Sequence, residues 1–197
     1  MLTDVSGWVI TTGKLYTVLW LTAMTAPWVC FRQYIVERDQ TRAIGFAMVM
    51  IGAWLFAGLA LGTATYPVIG GAPVVSFLIW LALLTVVVAP VAIHLLAFIA
   101  TVVLAATVAE RGTVSETVQA ITYAMAPAVF LAVPLDAVQA AFALFGSLLL
   151  VYGLKVVHST SIWRAFLAGI IPAYLLFGVG FGADAAIVEM LRTYYII

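Results

Sequence analysis

Long apolar runs, separated by a few charged positions, dominate the sequence. A helix that spans a membrane needs about 20 mostly apolar residues. The stretch between Arg42 and Glu110 contains no charged residue and is too long for one such helix. Proline and glycine break helices, and both occur in the segment 66–73. The pattern therefore predicts a first span over 43–65 and a second over 74–108.

Three further uncharged stretches match the thickness of a bilayer, at 117–135, 137–154 and 165–183. Thr113 and Glu116 stand three residues apart just before the first of them, a spacing typical of a capping box at the start of a helix. The sequence therefore predicts an all-α fold, a polytopic membrane protein with a bundle of five transmembrane helices.

Prolines fall inside three of these spans, at Pro90, Pro127 and Pro172. Proline is tolerated in a transmembrane helix where neighbouring groups satisfy the freed carbonyls, so Pro127 and Pro172 each predict a bend. The second span is longer than a bilayer requires. We expect it to tilt, to kink at Pro90, to project beyond the membrane on one side, or to contain a re-entrant break at that proline.

The N-terminal segment 7–31 is apolar but diluted by threonines and by Lys14. Its Trp and Tyr side chains suit the headgroup region, so we predict an interfacial helix lying against the membrane. A sixth span is the alternative. With five spans and an interfacial N-terminal helix, the chain divides into an interfacial amphipathic segment at 1–42, a five-helix transmembrane domain at 43–183 and a C-terminal tail at 184–197.

Composition supports lipid as the main solvent, because 66% of the residues are hydrophobic and only 8% are charged. Soluble domains carry about 25% charged residues. The net charge of zero does not suggest a nucleic-acid partner, which would require a basic patch or stripe. A single cysteine, Cys30, excludes an intrachain disulfide, and we predict no cofactor or metal site in the spans.

The basic residues orient the chain, since Lys and Arg near a membrane favour the cytoplasmic side. Five spans place one basic residue, Arg192, apart from all the others. The prediction is a multi-pass protein of the cell membrane with a cytoplasmic N-terminus and an outside C-terminus. The residues on the cytoplasmic face are then Lys14, Arg32, Arg38, Arg42, Arg111, Lys155 and Arg164.

His94 is the ionisable candidate well inside a span. It could carry a proton or bind a ligand. The favoured interpretation is a neutral histidine that donates to a carbonyl freed by Pro90. Gly178 and Gly182 form a GxxxG pair, which predicts close helix packing, including the association of two copies. No catalytic constellation is visible, so we expect a protein that is not an enzyme.

Three sequence motifs resemble those of the Yip domain family, the Ypt/Rab-interacting membrane proteins, and are closest to archaeal members. They are the proline–aromatic–arginine stretch 26–32, the capped helix at 112–134, and the connection at 153–165. The resemblance implies five spans and a cytosolic N-terminus. The candidate functional positions are Glu110, in the connection just before the second motif, and the following residues of the motifs: Gly112, Glu116, Tyr123, Pro127, Pro134, Lys155, His158 and Arg164.

The leading functional hypothesis is an integral membrane scaffold or adaptor of the Yip type. Its role would be membrane organisation or a trafficking-like task through a protein partner on the cytoplasmic face, with the bilayer and a second copy as further partners. In eukaryotes the family is linked to Rab GTPases and vesicle traffic. The alternative is a small channel or transporter that uses its proline-broken helices.

Overall fold

The computed structural model describes the backbone of residues 2–194 and the side-chain surroundings of residues 13–194; within these limits the chain is helical and contains no strand. Three segments depart from α geometry: a π-helix at Leu83–Val88, a 3₁₀-helix at Ala126–Ala132 and a π-helix at Tyr174–Gly180. The α-helices are α1 Leu2–Thr25, α2 Pro27–Gln33, α3 Thr41–Ala60, α4 Pro73–Ala82, α5 Ala89–Thr107, α6 Val114–Ala124, α7 Asp136–Val157, α8 Ile162–Ala173 and α9 Ala183–Thr193.

In the described part of the chain, four helices are long and apolar enough to cross a membrane. They match the first, second, fourth and fifth predicted spans. Their outward faces carry many exposed large apolar side chains, a surface that hydrocarbon solvates and water does not. The four are Thr41–Ala60, Pro73–Thr107, Asp136–Val157 and Ile162–Gly180.

The third predicted span, at 117–135, is not a continuous spanning helix, so the prediction of five such helices is wrong. Helix α6 ends at Ala124, and the chain continues past Pro127 as the tighter 3₁₀-helix. Proline lacks the N–H that the α-helical ladder requires. Every residue from Thr117 to Ala128 is buried, so this segment packs against other helices rather than against lipid.

Side chains from neighbouring helices bind the carbonyls of this broken segment. The indole Nε1 of Trp20 donates to the Ala126 carbonyl at 2.8 Å. The amide Nε2 of Gln139 donates to the carbonyls of Leu131 and Val133, both at 3.0 Å. An unpaired carbonyl in an apolar interior is costly, so these bonds make the break tolerable there.

The other two prolines lie in helices that remain continuous. The π-helix Leu83–Val88 ends just before Pro90 and joins α4 to α5, which gives one helix from Pro73 to Thr107 rather than a re-entrant break. Pro172 lies inside α8, and a π-helix follows it from Tyr174. A π turn rearranges the carbonyl ladder locally, which accommodates the missing proline N–H.

The predicted interfacial segment forms α1 and α2, and one face of α1 packs on the bundle. Leu19 and Ala23 are fully buried, and the Tyr16 ring contacts Phe46 of α3 edge-on. Trp20 reaches the 3₁₀-helix, as described above. The side chains of residues 1–12, including Trp8 of the predicted headgroup belt, lie outside the described residues.

One end of the bundle, which we call the basic end, gathers three chain segments that are far apart in sequence. These are the 34–42 segment, the 108–113 loop and the 158–161 turn. Val36 bonds to Gln119 of α6, and Thr117 of α6 lies beside His158. The basic side chains on or next to these segments are Arg32, Arg38, Arg42, Arg111, Lys155 and Arg164.

The opposite end gathers the 61–72 loop, the turn at 133–135 and the turn at Gly182. The Thr63 hydroxyl donates to the Ala132 carbonyl at 3.0 Å. The Trp54 ring contacts Phe181 edge-on, with ring centroids 5.1 Å apart. None of the segments named here carries a basic residue, so the described part of the bundle has strongly unequal ends.

The predicted C-terminal tail is largely helical, because α9 begins at Ala183 and packs along α7. Residues 195–197 lie outside the described residues. Gly182 caps α9 with a φ of 74°, a left-handed conformation that favours glycine. Gly178 lies in the preceding π-helix, so Gly178 and Gly182 do not form the single helical packing face that the GxxxG spacing predicts.

We predict that Gln139→Leu lowers the free energy of unfolding by about 2 kcal/mol, because it removes the hydrogen bonds to the Leu131 and Val133 carbonyls while nearly keeping the side-chain volume. Thermal unfolding of the purified protein in detergent measures this. Gln33→Leu is the control, since Gln33 is exposed at the end of α2. Equal melting temperatures for the two variants would contradict the prediction.

Candidate functional site at the basic end

Two of the motif segments, about forty residues apart in sequence, touch at the basic end. A Cβ atom added to Gly112 would lie 2.9 Å from both the carbonyl oxygen and a side-chain methyl of Val157. Only glycine permits this approach between the 108–113 loop and the end of α7. The structure therefore gives Gly112, predicted as a motif position, a packing role.

The predicted capping box at the start of α6 is confirmed. The Thr113 hydroxyl accepts from the backbone N–H of Glu116 at 3.3 Å, and the Glu116 carboxylate accepts from the Thr113 N–H at 2.6 Å. These reciprocal bonds satisfy two donors that a helix start leaves free. Glu116 is thus bound within its own helix start.

His158 is buried between α6 and the end of α7, with 1% of its surface exposed. Its Nε2 lies 3.0 Å from the Thr117 hydroxyl, and the Thr101 hydroxyl of α5 is 3.4 Å from the same oxygen. This chain of polar groups joins three helices. The Nδ1 atom of His158 is buried and has no partner among the described residues.

Burial lowers the pKa of His158 from 6.5 to about 4, because desolvation penalises the charged imidazolium. The Glu116 carboxylate opposes this shift, and the Arg111 guanidinium adds to it. His158 is therefore neutral at neutral pH. An enclosed neutral imidazole bound to a threonine holds helices together and is out of reach of a substrate in solution.

Sequence reasoning missed the role of Gln119 in holding the 34–42 segment. Its Nε2 donates to the Val36 carbonyl at 2.6 Å, and its Oε1 accepts from the Val36 N–H at 2.9 Å. The Tyr123 hydroxyl adds a longer bond to the Tyr34 carbonyl at 3.4 Å. A glutamine inside an apolar run was the available signal, but its partner lies 83 residues away in sequence.

The remaining predicted positions divide between the surface and other parts of the fold. Glu110, Lys155 and Arg164 are exposed at the basic end. Pro127 lies in the buried 3₁₀-helix, and Pro134 is exposed towards the opposite end. The structure therefore does not bring all the motif residues into one site.

His94 lies on α5, away from this cluster, and its Nδ1 is 2.6 Å from the carbonyl oxygen of Pro90. The hydrogen-bond partner of His94 is the carbonyl of Pro90 itself, one turn earlier in the helix, and not a carbonyl that the missing proline N–H leaves free. Among the described residues, no three His, Cys, Asp or Glu side chains come close enough to hold a metal ion. A role for His94 as a proton carrier stays a prediction.

The spanning helices and their lipid-facing surfaces place the chain in the class of polytopic helical membrane proteins. The family model of the Yip1 domain matches residues 15–183, which is most of the chain. The protein belongs to the Yip1 domain family. Comparison with curated proteins and with solved structures gives no significant match.

We predict that stability decreases as the pH falls from about 6.5 to about 4, by on the order of 3 kcal/mol from His158 alone. The unfolded histidine takes up a proton in this range while the folded one stays neutral. His158→Gln removes this contribution and keeps a donor for Thr117.

Melting temperatures of the purified protein at pH 7.5 and pH 4.5 measure the effect. Lys155→Gln, which removes an exposed charge close to His158, keeps the wild-type difference in melting temperature between pH 7.5 and pH 4.5. A His158→Gln variant with the same pH dependence as the wild type would refute the assignment.

Proposed function

We propose that this protein is a non-catalytic membrane scaffold or adaptor whose basic end faces the cytoplasm and binds a protein partner. The observation that carries this proposal is the construction of the basic end. Gln119 and Thr117 of α6 bind the 34–42 segment and His158, and Gly112 lets the 108–113 loop pack on the end of α7. Charged side chains project from these segments.

The charges support an interaction surface rather than a chemical site. Arg111, Lys155 and Arg164 are exposed, and none of them forms an ion pair within 4.0 Å among the described residues. Charged groups without an internal partner are free to steer and select a partner of opposite charge. The buried polar groups beneath them, such as His158, serve to hold the surface in place.

The cytoplasmic orientation is part of the proposal and rests on the unequal ends of the bundle. Basic residues near a membrane favour the cytoplasmic side. Since the basic residues of α2, the 108–113 loop and the start of α8 share one end, a single orientation satisfies this rule for all of them.

A channel or transporter has less support. Broken helices build substrate sites when their free carbonyls and helix ends face a cavity. In the segment 126–133, carbonyls that the break would leave free are instead bound by Trp20, Thr63 and Gln139. These carbonyls are therefore occupied and do not present themselves to an ion.

We predict that a photo-crosslinking amino acid at Glu110 captures a discrete protein partner in native membranes, because this position is exposed at the basic end. The matched position is Val68, exposed at the opposite end, which gives no such adduct. Mass spectrometry of the crosslinked band identifies the partner.

Charge reversal separates specific from incidental capture. The combined change R111E, K155E and R164E is expected to reduce the Glu110 adduct about tenfold, whereas V68E, at the opposite end, leaves it unchanged. The same adducts from both ends, or none from the basic end, would overturn the proposal.

We predict that Arg111→Cys and Lys155→Cys react with a membrane-impermeant maleimide only after cells are permeabilised, while Val68→Cys reacts in intact cells. The native Cys30 gives little background, because it is buried and burial raises its thiol pKa to about 12. Labelling of Arg111→Cys and Lys155→Cys from different sides would contradict a shared cytoplasmic end.

A further inference from the structure

A cleft of about 1090 Å³ runs along α7 between α8 and α9. Helices α8 and α9 each pack on α7 but barely touch one another. The floor of the cleft is formed by α7, where Ala143, Ser147 and Val151 repeat at four-residue spacing and Leu144 and Leu148 lie beside them. The Ser147 hydroxyl donates to the Ala143 carbonyl at 2.7 Å, so its proton is already bound.

The floor lies at the depth of lipid acyl chains. At about 1.5 Å per residue, Ala143 and Val151 are about 10 and 22 Å along a helix about 33 Å long. The hydrocarbon core of a bilayer is about 30 Å thick. Because α7 is one of the spanning helices, the open side of this cleft faces lipid.

Two charged residues of α9, Glu189 and Arg192, line the same cleft. Their side chains are 59% and 66% exposed, and their closest N–O distance is 3.9 Å. Exposed charges beside the central turns of a spanning helix are costly and mark a functional site. The long separation leaves both groups able to bind an outside partner.

The mouth of the cleft at the basic end carries an exposed aromatic ring. Trp163, 74% exposed, stands two residues after Ser161, the N-cap of α8, and lines the cleft with Arg192. Tryptophan favours the headgroup level of a membrane, and a long arginine side chain reaches from an apolar depth to that level. Trp163 therefore places the mouth of the cleft near the headgroup level, and Arg192 lines the same cleft.

We propose that this cleft binds one phospholipid with a zwitterionic headgroup. Arg192 binds the phosphate, Glu189 and the face of Trp163 bind the ammonium group, and the acyl chains cover the floor. Charge complementarity selects this headgroup, because the cleft is lined by one basic residue and by two acidic residues, Asp184 and Glu189. A lipid with phosphate alone would meet Arg192 but be repelled by Glu189.

The test uses the purified full-length chain, freed of lipid in detergent and titrated in native mass spectrometry. The probes are phosphatidylethanolamine, phosphatidylglycerol and diacylglycerol of the same acyl composition. We expect phosphatidylethanolamine to bind about tenfold more tightly than either of the others. R192Q weakens the binding of both phospholipids, and E189Q removes the preference for phosphatidylethanolamine.

The matched control is the exposed ion pair between Glu37 and Arg38, with an N–O distance of 3.4 Å, which lies outside the cleft. E37Q and R38Q remove the same charges and leave lipid binding unchanged. V188W narrows the cleft and weakens the binding of all three lipids. An unchanged helical circular dichroism spectrum shows that the variants fold.

Three outcomes would overturn the proposal. The first is equal affinity for phosphatidylethanolamine and phosphatidylglycerol in the wild type. The second is an E189Q or R192Q variant that behaves like the Glu37 and Arg38 controls. The third is a stable dimer that V188W abolishes and that binds no lipid, which would assign the cleft to a second copy. None of these results bears on partner binding at the basic end.

Discussion

The carbonyl groups of the broken segment after α6 set the constraint on which the fold depends. No water is available in an apolar interior to bind them, so each needs a donor from the protein. Trp20, Thr63 and Gln139 supply these donors from α1, the turn after α3, and α7. The broken segment is therefore hydrogen-bonded to α1, to the turn after α3 and to α7.

The same segment also organises the basic end. Because α6 is surrounded by other helices, its polar side chains reach chain segments on several sides. Gln119 binds the backbone at Val36, and Thr117 contacts His158. Hydrophobic burial gives little direction between helices in lipid, so hydrogen bonds and close glycine contacts carry much of the specificity. The contact between Gly112 and Val157 is one such glycine contact.

The structure confirms those sequence predictions that rest on local chemistry. Thr113 and Glu116 form the predicted capping box, because both partners lie within one helical turn. The long uncharged stretch forms the two predicted spans on either side of the segment 66–73. The prediction of a third span at 117–135 was wrong because hydropathy cannot distinguish a helix that faces lipid from a broken segment that faces other helices.

Sequence alone determined that this chain is helical, that much of its surface faces lipid, and that it resembles the Yip domain family. Those properties depend on composition and on residues close together in the chain. Only the tertiary structure decided that α6 is buried among the other helices, that the Gln119 side chain hydrogen-bonds the backbone of Val36, and that α9 packs along α7 and forms a cleft there. These outcomes depend on which distant donor meets which unpaired acceptor, and spacing along the chain does not record such pairings.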